Sequence, residues 1–254
     1  MSALRARCPN CRTLTAVALD DGYECHSCGT RHAAGLVRVP RAWGAGGEAM
    51  AAAASLALPY PEALVVDADT LDEQSAALAT GLPARPLVVG GCCCAHVGAI
   101  RGLAPRHERL AVVWLDAHGD LNTPETSPSG NLWGMPLRMA IDEGSVRAAD
   151  VALVGARDLD PPETAYVAEQ GIDADVARAL DGAAAVYVAL DVDVLEPGAV
   201  PAFMPVPDGP SADEVESVLC DIASRTRVAG LGITGLGEGV EPAHVMRFVH
   251  AAGM

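Results

Sequence analysis

Short apolar runs recur along the chain from about residue 36, each followed by Gly or Asp and then by a helix-like segment. The runs are GLVRVP, ALVVDAD, PLVVGG, LAVVWLDA, DVALVGA, AVYVALDVDV and VAGLGITGLG. Runs of this length, spaced by roughly 20 to 40 residues, are typical of buried parallel strands joined by crossover helices. The pattern therefore predicts an α/β fold with a doubly wound, mostly parallel sheet.

The first 35 residues follow a different pattern, with two CxxC pairs on either side of a hairpin-like segment. The four thiols belong to Cys8, Cys11, Cys25 and Cys28. Thiolates at this spacing can close a tetrahedron around one structural Zn²⁺, and so small a piece has little other means of stabilisation. We therefore predict a zinc ribbon at residues 1–35 and an α/β domain at residues 36–254. Whether the ribbon is structural, binds a partner or covers a site stays open.

Charge and composition limit the partners and the compartment. The 254 residues carry a net charge of −16, with 33 acidic residues against 17 basic ones, which argues against nucleic acid as a partner. No apolar run reaches the roughly 18 residues of a membrane span, and the N-terminus has no apolar leader segment. Cysteines paired as CxxC indicate metal or thiol chemistry rather than disulfides. We expect a soluble cytoplasmic protein with no membrane association.

Charged side chains follow two of the apolar runs, where ligands bind in open parallel sheets. One run ends in DAHGD, with Asp116, His118 and Asp120 at alternate positions, and another ends in DVDV, with Asp191 and Asp193. Four carboxylates in one pocket would repel each other strongly unless cations neutralised them. Two divalent ions remove this conflict, and carboxylate-rich ligation favours Mn²⁺.

A lone DxD is more often a helix cap or a solvated loop pair than a metal site. Here two such motifs occur at the ends of apolar strands, and one of them contains a histidine. This combination favours a metal site. Asp67 and Asp69, in VVDADT, have no such histidine, so we interpret them as structural.

These motifs resemble those of the arginase family, the ureohydrolases, from about residue 36 to about residue 242. DAHGDLN is similar to the family's DAHxDxN, and DVDVLEP is similar to its DxDxxxP. The resemblance implies a binuclear manganese centre that hydrolyses a guanidino group. It makes Asp116 and Asp191 the bridging ligands, and places His118 and Asp193 on one ion and Asp120 on the other. Asp120 would also hold the attacking water.

The sixth expected ligand departs from the family pattern. Members usually begin this segment with GGDHS, whereas the chain reads GGCCCAHVG. Counting along the motif places Cys93 at the histidine position. A thiolate there would be stabilised by a helix N-terminus and by a cation, although its softness leaves the metal's identity open. His96, one turn later, is the alternative ligand, while Cys92, Cys94 and Cys220 are predicted to pack.

The resemblance also implies a pocket for the amino acid head of arginine. The corresponding residues here are Asn122, Ser129, Asn131, Asp160 and Glu163. Asn and Ser side chains can bind an α-carboxylate, and the two acidic side chains can bind an α-ammonium group. Taken alone, DLDPPE is equally a helix N-cap signal. The substrate predicted from this pocket is arginine or a related amino acid.

Two departures affect the reacting end of the substrate. Trp133 stands where arginases carry a histidine thought to shuttle protons; indole can stack on a guanidinium but has no basic nitrogen. The family's guanidinium-binding glutamate corresponds to Glu238, or to Glu241, with spacing that is off by one. The combination of Cys93 at the histidine position, Trp133 in place of the shuttle histidine, and the segments NTPET and DVLEPGAVPAFMPVPDG is similar to a branch that includes Nω-hydroxy-arginine hydrolases. The substrate of these enzymes depends less on a proton shuttle.

Three hypotheses therefore stay open: an arginase-like hydrolase that releases urea, an Nω-hydroxy-arginine hydrolase that releases hydroxyurea, and a catalytically silent binding protein. Family members often form trimers or hexamers, so a homo-oligomer is compatible with the resemblance, but the short C-terminal segment VMRFVHAAGM does not indicate one.

Overall fold

The N-terminal region forms a small antiparallel sheet in a computed structural model that describes residues 4–254. Its strands, in spatial order, are β1 (Arg5–Ala6), β2 (Ala16–Leu19), β3 (Gly22–Cys25) and β4 (Arg31–His32). The core of this unit is tiny and includes the side chains of Cys8, Cys25 and Tyr23. A sheet this small agrees with the predicted zinc ribbon.

The rest of the chain is built on a second sheet, which has seven parallel strands within the described residues. In chain order they are β5 (Gly35–Val39), β6 (Glu62–Val65), β7 (Pro86–Gly90), β8 (Leu110–Leu115), β9 (Val151–Val154), β10 (Ala185–Asp191) and β11 (Val228–Thr234). The spatial order is β6-β5-β7-β11-β10-β8-β9. All the apolar runs predicted as strands form this sheet, so the predicted α/β class is confirmed.

Helices connect these strands and cover both faces of the sheet. They are α1 (Glu48–Ala53), α2 (Leu71–Gly81), α3 (Ala95–Leu103), α4 (Pro136–Asp142), α5 (Pro161–Gln170), α6 (Val176–Leu180), α7 (Ala212–Arg225) and α8 (Pro242–Ala251). Capping boxes begin α2 at Thr70 and α7 at Ser211, where each hydroxyl accepts a backbone N–H from the glutamate three residues on. Among residues 4–254, no helix combines the length and apolar character needed to cross a bilayer.

Alternate strand residues supply two separate hydrophobic cores, which is the signature of a sheet buried on both faces. In β8, Val113 and Leu115 pack into the core shared with α7 and α8. Val112 and Trp114 pack into the core shared with α2, α3 and α4. Both faces are therefore largely apolar, and the acidic candidate ligands lie at the strand ends.

The ribbon covers the β6 edge of the large sheet. Arg7 and Glu62 exchange backbone hydrogen bonds across an antiparallel bridge, and Ala63 packs on the ribbon core. Asp21, in the β2–β3 hairpin, pairs with Arg227 at 2.6 Å. Because Arg227 precedes β11, the hairpin lies at the amino ends of the strands, opposite their carboxyl ends. The ribbon therefore does not cover a site at the carboxyl ends of the strands. It protects an edge of the sheet instead.

Candidate active site

Four neighbouring strands bring the candidate ligands together. In spatial order β7, β11, β10 and β8 are adjacent, and the candidate ligands lie at the carboxyl ends of three of them. Cys93 follows β7, Asp191 ends β10, and Asp116 follows β8. These residues are far apart in the sequence, and the parallel pairing of their strands brings them together at one edge of the sheet.

The loop after β8 is held by hydrogen bonds to the carboxylate of Asp116. Its Oδ1 accepts the backbone N–H of His118 at 2.7 Å, and its Oδ2 accepts the indole N–H of Trp114 at 3.1 Å. Asp120 adopts a left-handed backbone with φ of 53°. A non-glycine residue is uncommon in that region, and backbone strain of this kind clusters at functional sites. The turn directs the Asp120 carboxylate back toward Asp116.

The residues after β10 lock the second acidic pair against this loop. Asp191 Oδ1 accepts the backbone N–H of Asp193 at 3.0 Å. Asp193 Oδ1 accepts the backbone N–H of Ala117 at 3.1 Å, and its Oδ2 lies 3.0 Å from His118 Nδ1. Each carboxylate is thus oriented by backbone donors and keeps lone pairs for a further partner.

Cys93 reaches the same cluster from the turn between β7 and α3. Its Sγ lies 3.0 Å from Asp191 Oδ2 and 3.7 Å from Asp116 Oδ2. The helix begins only at Ala95, so Cys93 stands just before its N-terminus. This position is the one expected for a thiolate ligand.

His96, the alternative to Cys93, faces away from the cavity. It is completely buried; its Nδ1 lies 2.9 Å from Tyr187 Oη and its Nε2 lies 3.1 Å from Thr234 Oγ1. Burial lowers the pKa of His96 to about 3, so the ring is neutral. With both ring nitrogens engaged behind the ligand cluster, His96 is not placed to bind an ion in this arrangement.

The acidic cluster is electrostatically unsatisfied by protein groups alone. Burial, followed by the neighbouring carboxylate, raises the pKa of Asp191 to about 7 and that of Asp193 to about 6. Burial and Asp116 raise the pKa of Asp120 well above its usual range. Burial alone would lower the pKa of His118, but its hydrogen bonds to Asp116 and Asp193 raise it to about 12. Bound cations would relieve this repulsion.

The donor set fits two divalent ions that share one carboxylate. Cys93, Asp116 and Asp120 place ligand atoms within 4.8 Å of one another, and so do Asp116, His118 and Asp193. Among residues 4–254, the buried Asp120 Oδ2 has no hydrogen-bond partner. An orphaned buried carboxylate oxygen calls for a compensating ion. Oxygen-rich ligation with one imidazole suits Mn²⁺, and the single sulfur, from Cys93, widens the choice of metal at its cluster.

The ribbon cysteines fit a single Zn²⁺. The four Sγ atoms lie within 4.8 Å of one another, with Cys8 to Cys28 at 3.7 Å and Cys11 to Cys25 at 3.5 Å. A tetrahedron with Zn–S bonds of about 2.3 Å has edges of about 3.8 Å. The cluster therefore has the dimensions of a structural zinc site.

A cavity of about 190 Å³ opens onto the cluster and contains most of the predicted substrate residues. The predicted residues that line it are Asn122, Ser129, Trp133, Asp160 and Glu163. Asn122 Nδ2 donates to Asp160 Oδ2 at 2.9 Å. The two oxygens of Glu163 accept the backbone N–H groups of Leu121 and Asp160 at 2.9 and 2.8 Å. Glu163 thus forms the capping box of α5 and at the same time braces the DAHGD loop.

Three predicted or alternative substrate residues lie outside this lining. Asn131 Oδ1 accepts the backbone N–H of Ala45 at 3.1 Å, so this side chain holds a loop. Glu238 is exposed and does not line the cavity. Glu241 is the exposed N-cap residue of α8. The assignment of Glu238 or Glu241 as a guanidinium ligand gains no support from this arrangement.

The cavity also contains residues that the sequence pattern did not indicate. Asp158 Oδ2 lies 3.9 Å from His118 Nε2, and Met50, Phe203 and Met204 supply an apolar wall beside Trp133. The Trp133 and Phe203 rings meet edge to face, with centroids 5.6 Å apart. Asp158 could have been noticed in VGARDLD, a strand end, whereas the apolar wall comes from segments with no shared motif.

Predictions about the remaining cysteines and acids are partly confirmed. Cys92 and Cys94 are buried as predicted, but the prediction that Cys220 packs is wrong, because Cys220 is exposed. The inward face of α7 is formed by Ala212, Val215, Leu219 and Ile222, which leaves the position after Leu219 outside. Asp67 and Asp69 are surface partners of Arg41 at 3.2 and 3.3 Å, in line with a structural role.

Comparison with solved structures places this fold among arginases. The arginase from Bacillus subtilis has a TM-score of 0.72 at 23% identity, over 86% of this chain and 97% of that one. An arginase from Entamoeba histolytica, solved in complex with L-ornithine, has a TM-score of 0.72 at 19% identity, over 86% and 97% of the two chains. At these identities the likeness establishes the fold alone.

Sequence comparison adds the family. Arginase from Bacillus subtilis (strain 168) is 35% identical over 147 residues, which are 46% of this chain and 49% of that protein. The chain thus spans about half the length of the curated relatives it matches. The model of the arginase family matches residues 47–236, more than half of the chain. The chain therefore belongs to the arginase family.

Proposed function

We propose that this protein is a binuclear-metal hydrolase of a guanidino group, which releases urea from arginine or a related amino acid. The observation that carries the proposal is the joint placement of His118, Cys93 and four buried aspartates in one cavity. The membership in the arginase family supports the same reaction class. We propose Mn²⁺ as the natural metal because hard oxygen donors dominate the site.

The proposed ligand sets follow from the two clusters. Cys93 and Asp120 would hold one ion, His118 and Asp193 the other, and Asp116 would be shared. Asp191 is in neither cluster but lies 3.0 Å from Cys93 Sγ, and we propose it as a further ligand because of the resemblance to the arginase family. Two divalent ions bound there would polarise the guanidino group and lower the pKa of a water molecule between them. The protein supplies the orientation of that water and the binding of the substrate.

Asp120 is the residue best placed to handle the proton. Its Oδ2 has no protein partner among residues 4–254, and its strained backbone directs it into the cluster. We infer that this oxygen accepts a hydrogen bond from the attacking water and then receives its proton, which the leaving amine requires. Because Trp133 has no basic nitrogen, it cannot relay a proton as a histidine at that position would.

Two groups of cavity residues would bind the substrate: polar and acidic side chains would bind its amino acid head, and aromatic side chains would contact its guanidinium. Asp160 and Glu163 line the cavity and suit an α-ammonium group, while Asn122 and Ser129 suit an α-carboxylate. Trp133 and Phe203 form an aromatic wall on which a planar guanidinium can stack. An acidic cavity also favours a cationic substrate by electrostatic attraction.

Nω-hydroxy-arginine is the second candidate substrate, favoured by Cys93 and Trp133 together. A hydroxyguanidine is less basic than a guanidine and needs less help with proton transfer, so a missing relay matters less. The reaction would then release hydroxyurea with ornithine.

The deciding experiment is a substrate panel with the manganese-loaded protein. Arginine, Nω-hydroxy-arginine, agmatine and guanidinobutyrate are assayed for urea or hydroxyurea, together with metal content. We expect turnover of an α-amino acid substrate, two ions besides the ribbon zinc, and a loss of orders of magnitude in Asp120→Ala and Asp193→Ala at unchanged fold. Two bound ions without turnover of any substrate would instead indicate a silent binding protein, and unchanged release by Asp120→Ala would refute the mechanism.

A further inference from the structure

Three polar side chains form a buried chain behind Cys93 that the proposed site does not use. Tyr187 on β10, His96 on α3 and Thr234 on β11 are completely buried. Tyr187 Oη lies 2.9 Å from His96 Nδ1, and His96 Nε2 lies 3.1 Å from Thr234 Oγ1. Thr234 Oγ1 lies 3.2 Å from Cys93 Sγ and 3.2 Å from Asp191 Oδ2. The chain therefore ends on two proposed ligands.

The direction of these hydrogen bonds follows from the donors available. Among residues 4–254, the Tyr187 hydroxyl has His96 Nδ1 as its only hydrogen-bond partner, so it donates there. A neutral imidazole with Nδ1 as acceptor carries its hydrogen on Nε2. His96 Nε2–H then donates to Thr234. The single hydroxyl hydrogen of Thr234 is left to point toward Cys93 Sγ or Asp191 Oδ2.

The backbone of β11 leaves space for these three polar side chains only because residue 232 is glycine. Gly232 on β11 has no side chain where a Cβ would overlap Tyr187 Oη and the His96 ring. The His96 ring also packs edge-on against Trp114, with centroids 5.1 Å apart. Apolar residues of the same shape would be near neutral or stabilising in such a place. Packing alone therefore does not account for the three polar groups.

We propose that Tyr187, His96 and Thr234 are positioning residues that direct a hydrogen bond onto the Cys93 sulfur and thereby stabilise it as a thiolate ligand. The inference rests on the proposed metal site. While protonated, Cys93 can donate to Asp191 across 3.0 Å. As a proposed metal ligand the sulfur is an acceptor, and Thr234 Oγ1, 3.2 Å away, is the neighbouring hydroxyl that can turn its hydrogen from Asp191 Oδ2 to Cys93 Sγ. Hydrogen bonds of this kind tune ligand basicity and metal affinity.

Co²⁺ is the probe that reports on the sulfur directly. Cobalt bound to a thiolate gives a charge-transfer band in the near ultraviolet. The ribbon thiolates contribute equally in every variant, so subtracting the spectrum of Cys93→Ser isolates the contribution of Cys93. Spectra and cobalt titrations are compared for wild type, Thr234→Val, Thr234→Ser and Tyr187→Phe. The control is Thr226→Val, the same substitution near the amino end of β11.

Loss of the hydrogen bond should move the Cys93 band to longer wavelength, because a thiolate without a donor gives up its electrons more easily. We expect this shift in Thr234→Val, with cobalt affinity reduced by about 10- to 100-fold. Tyr187→Phe should show a smaller shift in the same direction, since the imidazole proton is no longer held on Nε2. Thr234→Ser and Thr226→Val should match wild type.

The results separate failure of this inference from failure of the proposed function. An unshifted Cys93 band in Thr234→Val, at wild-type affinity, overturns the positioning role while the metal site stands. Two cobalt ions beyond the ribbon with no Cys93 band would remove Cys93, and this inference with it, from the ligand set. No cobalt beyond the ribbon would overturn both. Circular dichroism checks that each variant is folded.

Discussion

Gly235 leaves no room for a side chain beside Asp191. A Cβ placed on Gly235 would overlap the Asp191 carboxylate, and the backbone there is left-handed with φ of 67°. Both facts require glycine where β11 ends against the proposed metal site. The position was invisible as a functional one in the sequence, where it is one glycine in a run of several.

Gly235→Ala should therefore displace Asp191 and weaken metal binding by about tenfold or more. The control is Gly239→Ala, which has φ of 81° but no atom within 4 Å of the added Cβ. The control reproduces the backbone strain without the overlap. Metal content after dialysis and the rate of urea release measure the difference, and equal losses in both variants would contradict the steric argument.

Trp133→Ala should weaken substrate binding and spare the metals. The indole lines the cavity and packs against Phe203, but it is no predicted ligand. Loss of a cation–π contact of about 0.5 to 2 kcal/mol should raise KM roughly 2- to 30-fold. Trp43→Ala is the matched control, because Trp43 lies outside the cavity lining and donates to Gln74 at 2.9 Å. A KM unchanged in Trp133→Ala would exclude the stacking role.

Removal of the zinc predicted in the ribbon should lower stability without removing the proposed activity. In Cys25→Ser one of the four thiolates is lost, and the ribbon that protects the β6 edge unfolds. Each kcal/mol lost should lower Tm by about 2 to 4 °C in a chain of this size. Activity assayed well below Tm should persist, because the ribbon hairpin contacts the amino ends of the strands. Cys220→Ser, at an exposed cysteine, is the control. Loss of activity in folded Cys25→Ser would show that the ribbon acts on the site.

Without ions in the active site, the protein should lose stability as pH rises. Asp191 has a pKa of about 7 when folded, against an ordinary 3.8, so the folded state binds more protons than the unfolded state between these values. Its contribution is present below about pH 4 and is lost as pH rises through about 7. Thermal unfolding from pH 4 to 8, with zinc kept in the ribbon, measures this slope.

Asp191→Asn is the matched control for the pH series, because the amide does not titrate. Its unfolding temperature should fall less across the same window, and Mn²⁺ should flatten the wild-type curve by replacing protons in the cluster. A wild-type stability that rises between pH 4 and 7 would contradict the assigned pKa direction.

The alternation and spacing of residues were enough to predict the strands, the ribbon thiols and most of the candidate ligands. Buried parallel strands need apolar residues on both faces, so the run LAVVWL in β8 is legible locally. Asp116, His118 and Asp193 stand at fixed offsets from strand ends, and that offset alone carries them to the edge of the sheet. Functional side chains within a few residues of a strand end can therefore be predicted from the sequence alone.

Tertiary structure decided everything that depends on which strands are neighbours. Strand order placed Thr234 beside Cys93 and turned His96 away from the cavity. It also put Gly235 against Asp191, and left Glu238 exposed. No local pattern encodes these contacts, because they join β7, β10 and β11 across about 40 to 140 residues of chain, and only the packing of the sheet selects the pairs.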